Sequence, residues 1–389
     1  MAPLSQTPSI PITDHSICKF FARLRDPRRA RRRLHHLQDI IVIALCAVIA
    51  GAQDWQQIAT FGRKRIDWLR GLLELPNGVP SHDTFERVFC RLRPGAFQAC
   101  FRQWVKAITN GLQLRHIAID GKTLRGTGTV QLGPLHLVSA WATELKLSLG
   151  QVAVDSKSNE ITAIPELLQL LELKGALVTI DAMGCQKVIA EQIVKAGADY
   201  VLAVKDNQPT LHADVQQVFL AGLENDFAEL EHRYHKTSET GHGRVETRHY
   251  HVVKVPEELA SKHAEFKGLK TLGMVFSERQ VGDGPAMAET RFYISSMDLK
   301  VRIFAQAVRK HWGIENTLHW QLDVTFAEDR NRVKDRQGAA NLALLRKLTL
   351  VLLKAHPSKD SMACKRLSAA LDPAFLEEIL KADGILEKV

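Results

Sequence analysis

The six cysteines, Cys18, Cys46, Cys90, Cys100, Cys185 and Cys364, form no Cys-x-x-Cys pair. That removes zinc-ribbon and dithiol redox motifs. Several lie in apolar stretches, as reduced core residues of a cytoplasmic protein do. There is no His-Glu-x-x-His motif, internal repeat, low-complexity tract or heptad array. No apolar run is long enough to cross a bilayer. The longest, "IIVIALCAVIAGA" at 40–52, reads as a buried helix, so no membrane partner is expected. The first residues lack the ordered charged, apolar and small-residue regions of a secretory signal.

What is present is an uneven excess of positive charge. The net charge is +9, and residues 1–110 hold 17 Lys/Arg against 8 Asp/Glu, whereas the rest of the 389 residues is neutral. A polyanionic partner, most simply nucleic acid, follows from that asymmetry. "FARLRDPRRARRRLHH" contains Arg28, Arg29, Arg31, Arg32 and Arg33 nearly in a row, as a solvated arm or a set of phosphate contacts. The arm is expected to span 1–36 and to lead into an all-helical DNA-binding domain at 37–112. Helices are predicted near 37–51, 53–62, 64–75, 81–93 and 95–110. Ser81 is a plausible N-cap. A turn and short helix carrying Arg87, Arg91 and Arg93 are compatible with a helix-turn-helix reader or with an ordinary helical bundle.

From residue 114 the pattern becomes β-β-β-α-β-α-β: "LRHIAID", "LHLVSAWA", "LSLGQVAV", "ITAIPELLQLLEL", "ALVTIDAM", "QKVIAEQIVKAG" and "YVLAVK". Hairpin spacing followed by alternation indicates an α/β fold with a mixed sheet covered by helices. A first core segment at 113–211 is then interrupted by a β-rich insertion at 212–300. Helical periodicity resumes over 301–350, and a helical tail is expected at 351–389.

Asp120 and Asp181 each follow an apolar strand. Strand ends in helix-covered sheets are where functional groups gather. Two facing carboxylates repel, so one protonates or a cation binds between them. Oxygen donors of this kind suit Mg²⁺. Helix capping is the plain alternative for each. A third ligand is sought in "VRKHWGIENTLHWQLDVTF", where His311, Glu315, His319 and Asp323 recur every four residues beside an apolar stripe of Ile314, Leu318 and Leu322. A buried polar network or a His/Glu zinc site are the other readings of that stripe.

"IAIDGKTLRG", "SAWA", "KSNEITAIPELL", "TIDAMGCQ", "YVLAVKDNQ", "GHGRVETR" and "HWGIENTLHWQLDVTF", with "DPRR", "LCAVIAGA", "FGRKRIDWL" and "PSHDTFERVF" before them, resemble the bacterial ISAs-type insertion-sequence transposases, also called H-repeat-associated proteins. The likeness spans nearly the whole chain. It implies a DDE transposase with a ribonuclease H-like catalytic core that binds double-stranded DNA at element ends and target. It also implies a homodimer or higher assembly on DNA, and cytoplasmic, nucleoid-associated work. Carried over, it places the three acids at Asp120, Asp181 and Glu315, holding Mg²⁺ or Mn²⁺, two ions in the usual arrangement. A nuclease that cuts without joining and an inert DNA-binding relic are the competing functions. Wider DDE families carry Tyr and Arg before the Glu and a Lys seven residues after it. Here Arg309, Lys310 and His311 precede it and Leu322 stands at the lysine position. Lys122, Lys205 and His319 are candidates for the basic group that grips phosphate.

Overall fold

The computed structural model describes residues 17–109, 112, 114–154, 159–241 and 243–381. The first part of the predicted arm, residues 1–16, and the end of the predicted tail, 382–389, therefore lie outside the described residues. Helices come first: α1 (Ile17–Phe21), α2 (Leu37–Ile49), α3 (Trp55–Lys64), α4 (Ile66–Arg70), α5 (His82–Arg91) and α6 (Pro94–Ile108). The long apolar run forms α2, with twelve of its thirteen residues buried. A helix that is apolar all round has no solvent face and goes inside. Ser81 stands at the N-cap of α5, but its hydroxyl meets Thr84 Oγ1 at 3.2 Å rather than a backbone N–H.

Strands β1 (His116–Leu124), β2 (Leu135–Ala142) and β3 (Leu147–Ala153) form an antiparallel meander. Helix α7 (Glu160–Gln169), β4 (Leu177–Ile180), α8 (Lys187–Lys195) and β5 (Asp199–Val204) follow, with β4 parallel to both β1 and β5. The predicted order is thus the order found.

Beyond β5 come α9 (Pro209–Glu224), β6 (His232–Gly241), β7 (Arg244–Lys254), α10 (Glu257–Lys262), β8 (Thr271–Val281) and β9 (Met287–Ser295). These strands extend the same sheet: β9 pairs antiparallel with β5, giving nine strands in the order β3-β2-β1-β4-β5-β9-β8-β7-β6. Buried residues on the inner halves of β7, β8 and β9, such as Tyr250, Leu272 and Ile294, anchor the extension, while β6 and the outer halves of β8 and β9 are largely exposed.

The chain returns through α11 (Val301–His311), a π-helical turn (Ile314–His319) and α12 (Trp320–Val324), then α13 (Arg336–Ala355), α14 (Met362–Leu371) and α15 (Pro373–Lys381). Helix α13 is about 30 Å long at 1.5 Å per residue and is buried along nearly its whole length. It packs on α2, α5 and α6 on one side and on β2 and β3 on the other. Asn341 donates to the Phe89 and Leu92 carbonyls, each at 2.7 Å, tying α13 to the end of α5. One apolar cluster accordingly runs from Ile17 to Leu380. Among the described residues, no helix is long and apolar enough to cross a membrane.

Candidate active site

The strand carrying Asp120 does not end there. β1 continues to Leu124 and stays paired with β2 throughout, whereas its pairing with β4 stops at Ile119 opposite Ile180. From Asp120 onward one edge of β1 is open, and Asp181 follows the last residue of β4. What ends at residue 120 is a partner strand, which a single sequence does not reveal. The result is a notch in the sheet with an acid on each side.

Capping does not account for Asp120, which is inside a strand; Asp181, at the N-cap of a 3-10 turn, makes no well-formed side-chain cap bond, although the Met183 and Gly184 N–H groups oppose the rise of its carboxyl. Asp181 Oδ1 is buried without a hydrogen-bond partner. Burial pushes the Asp120 carboxyl up to about 7, with the Asp181 carboxylate the next cause and Glu315 and Glu160 adding to it. Burial, then Glu160, likewise raises Asp181. Glu315, on the π-helical turn, is exposed; partial burial raises it and the Arg291 charge opposes that rise. The three predicted acids thus share one electrostatic field. Among the described residues, no three His, Cys, Asp or Glu side chains are grouped closely enough to hold a metal as they stand.

The four-residue stripe is divided by the π-helical turn, a feature that often marks functional positions. His311 ends α11 and bonds Thr179 Oγ1 at 2.9 Å, which in turn meets His116 Nε2 at 2.9 Å. Burial lowers both imidazoles to about 4, so they form a neutral core relay. His319 faces Asp120, with Nδ1 3.5 Å from Oδ2. Burial, then the Lys347 and Lys122 charges, lowers His319 to about 3. It is a neutral imidazole beside the first acid and not the cationic phosphate contact expected from the sequence. The zinc alternative through His311, Glu315 and His319 gains no support, because among the described residues no three such side chains are grouped to hold a metal.

Lys122 does share the face of Asp120, but its ammonium is already engaged. It lies 2.5 Å from Asp323, 3.4 Å from Asp329 and 3.8 Å from Glu328, and is 9% exposed. Glu328 is wholly buried, with the Arg346, Lys347 and Lys122 charges opposing the upward push of burial. Lys122 therefore holds the turn after α12 against β1. Lys205 is exposed, and its charge acts on Asp181, so it stands as a solvent-facing cation at the notch.

The arginine run divides as well. Arg28 is buried, chelating Asp26 and donating to the His35 carbonyl at 2.6 Å. Arg33 donates twice to the Arg28 carbonyl. Arg29 and Arg31 are exposed, and the side chain of Arg32 lies outside those described. Arg25, Arg29, Arg33, Arg91 and Arg93 line one cleft of about 870 Å³ between this segment and the end of α5. Sequence reading does not join Arg91 and Arg93 to the run, because the cleft is made by tertiary packing.

Two further residues at the site escape the sequence reading. Arg291, from β9, stacks its guanidinium 4.6 Å from the Trp312 ring centroid and acts on Glu315. Glu160, at the start of α7, acts on both aspartates. Nothing local in the sequence marks either: one lies within the β-rich extension and the other resembles an ordinary first-turn acid.

Residues 111–352 match the family described as "Transposase DDE domain", and residues 18–105 match "DDE_Tnp_1-associated". The chain belongs to the DDE transposase family. It is 41% identical over 373 residues to "Putative transposase YncI" of Escherichia coli O157:H7, covering 94% of each chain. It is 40% identical over 368 residues to "H repeat-associated putative transposase YhhI" of Escherichia coli (strain K12), covering 92% of this chain and 96% of that one. A shorter relative, "Inactive transposase YbfQ" of the same strain, is 43% identical over 63 residues, 16% of this transposase and 75% of that chain. The family resemblance in the sequence is therefore correct.

Proposed function

We propose that this transposase binds the ends of its insertion sequence as double-stranded DNA and catalyses strand cleavage and strand transfer by phosphoryl transfer, on a ribonuclease H-like core. The observation that carries the reading is the notch: Asp120 and Asp181 flank the point where β4 stops, and the charge of Glu315, from a separate element, acts on Asp120. Such an arrangement is costly without a cation, as the raised Asp120 and the unpartnered Asp181 Oδ1 indicate. The donors are all carboxylate oxygens, which fit Mg²⁺ or Mn²⁺ and not a soft metal. Bound there, two such ions would supply Lewis-acid activation of the attacking oxygen and charge stabilisation at the leaving oxygen.

The protein's own part is positioning. The sheet fixes Asp120 and Asp181, and Ile314, Leu318 and Leu322, all fully buried, press the segment bearing Glu315 onto it. His319 as a neutral imidazole can accept or donate a hydrogen bond beside Asp120 without adding charge. Lys205 supports a phosphate contact at the notch, and the arginine-lined cleft supports a second contact on the helical side. The helices over 37–112, joined by the segment before them, would supply this DNA grip, with the sheet and 301–350 supplying chemistry, and a dimer or larger assembly would pair two ends.

The test uses full-length protein and a DNA fragment carrying the element's flanking ends. Mg²⁺-dependent nicking at the ends, followed by joining to a supercoiled plasmid, is expected. Asp120→Asn and Asp181→Asn should remove both steps and leave DNA binding largely intact. Cleavage without joining would instead support a nuclease, and near-normal activity in either variant would sink the site.

A further inference from the structure

The segment bearing Glu315 begins at a soft joint. Trp312 and Gly313 link α11 to the π-helical turn. Gly313 keeps a right-handed helical conformation, φ −62° and ψ −28°, and among the described residues a Cβ there would meet open space. Neither backbone angle nor crowding calls for glycine, and within a helical run it is looser than alanine. Ile314 and Leu318 hold the buried side of the turn, while Glu315 and Asn316 are exposed just beyond the joint. Core packing alone therefore does not fix the direction of the Glu315 carboxylate.

The β-rich extension meets this joint. β9 reaches Trp312 with Arg291, whose guanidinium lies 4.6 Å from the ring centroid. Glu289, two residues away on the same face of β9, takes one edge of that guanidinium, with Nε to Oε1 at 2.7 Å and Nη2 to Oε2 at 3.0 Å. A planar cation braced along one edge is kept flat for stacking, which a lysine ammonium does not reproduce. Three residues before Trp312, and on the same side of the helix, Arg309 donates to Glu239 of β6 at 2.9 Å. Tyr293, next along this face of β9, packs edge-on against Phe304 of α11 with centroids 5.4 Å apart. The extension thus grips α11 along its length, and its last contact stands directly before Gly313.

We propose that Arg291, braced by Glu289 and stacked on Trp312, is a positioning residue for Glu315: the β-rich extension clamps the chain just before Gly313 and so sets where the third carboxylate points. This rests on the reading of Glu315 as the third acid.

The experiment pairs hydrogen–deuterium exchange of the full-length protein with single-turnover cleavage of end DNA in Mg²⁺. Arg291→Gln should speed amide exchange over 313–320 at least about fivefold, as loss of one local contact does, and leave β1 and β4 at wild-type rates. It should lower the cleavage rate about tenfold or more, the range for supporting partners of a metal ligand, with DNA affinity and its salt dependence unchanged. Arg291→Lys, which keeps the charge without the flat stack, should behave as Arg291→Gln does. Adding Gly313→Ala to Arg291→Gln stiffens the joint and should recover part of both losses. Should Arg291→Gln fail to fold, Trp312→Leu removes the same stack from the other side. Rescue by lysine together with a shallower salt slope in Arg291→Gln would make Arg291 a phosphate contact and overturn the clamp. Unchanged exchange over 313–320 overturns it too, and faster exchange with a wild-type cleavage rate overturns its link to Glu315. A wild-type protein that cuts no end DNA overturns the three-acid reading, and exchange over 313–320 still decides the clamp.

Discussion

Asp120→Asn should stabilise the metal-free protein even as it abolishes chemistry. The Asp120 carboxyl moves from 3.8 to about 7 on folding, from burial first and the Asp181 carboxylate second. It is 14% exposed, so solvent screens little of this. A raised folded pKa means the folded chain binds more protons than the unfolded one between those values, so stability falls as pH rises through that window. About three units at 1.36 kcal/mol each make an order-of-magnitude penalty of about 4 kcal/mol above pH 7. At pH 5 linkage leaves about 2 kcal/mol of it, and near pH 4 well under 1 kcal/mol. Asparagine removes the charge at similar size. Thermal unfolding in a chelator at pH 8 should therefore show the variant melting several degrees above wild type, with the gap narrowing at pH 5. Excess Mn²⁺ should reverse the order, because binding to the folded state alone stabilises wild type by mass action. A variant that melts at or below wild type in chelator at pH 8, or a gap that does not change with pH, would refute the account of Asp120 as a strained carboxylate awaiting a cation.

Glu315→Gln should remove Mg²⁺-dependent cleavage, whereas Asp323→Asn should lower it only through the loosened Lys122 contact; single-turnover rates on end DNA decide, and the opposite ranking would mean the third acid is Asp323. Lys122→Ala should cost about 3 kcal/mol in denaturant unfolding, because it removes one of the cations that offset the wholly buried Glu328, and a variant of wild-type stability that binds DNA weakly would restore Lys122 to a phosphate role. Replacing Arg29 and Arg91 by alanine should reduce the slope of log affinity against log salt by roughly 0.9 for each lost phosphate contact, and an unchanged slope would place the DNA path away from the arginine-lined cleft.

How much of this is legible in the sequence follows from which contacts are local. Strand order is readable because apolar runs and turn residues encode it segment by segment. Asp120 and Asp181 stand out because a charge beside a buried run is costly anywhere. Glu315 is separable from His311, His319 and Asp323 only through family resemblance, since a regular helix puts all four on one side and the π-helical turn gives no pattern of its own. Lys122 and His319 lie beside the acids, as their spacing suggests, but neither has the unengaged positive charge that a phosphate grip needs. Whether a buried cation is engaged depends on what packs over it, and Asp323 and Asp329 come from about two hundred residues away. Arg291 and Trp312 meet only once β9 has packed against the end of α11.

The apolar packing around α13 also bears on how such a gene decays. The first helices, α1 to α6, have no complete interior of their own, because α13 fills the space between them and the sheet. A truncated copy that stops before residue 336 loses more than its final helices: it strips the inner wall from the front third and one face from β2 and β3. A partial copy of this reading frame is therefore expected to be a chain with exposed apolar faces and not a smaller working unit, and rapid proteolysis of such a truncated chain beside a resistant full-length one would check it.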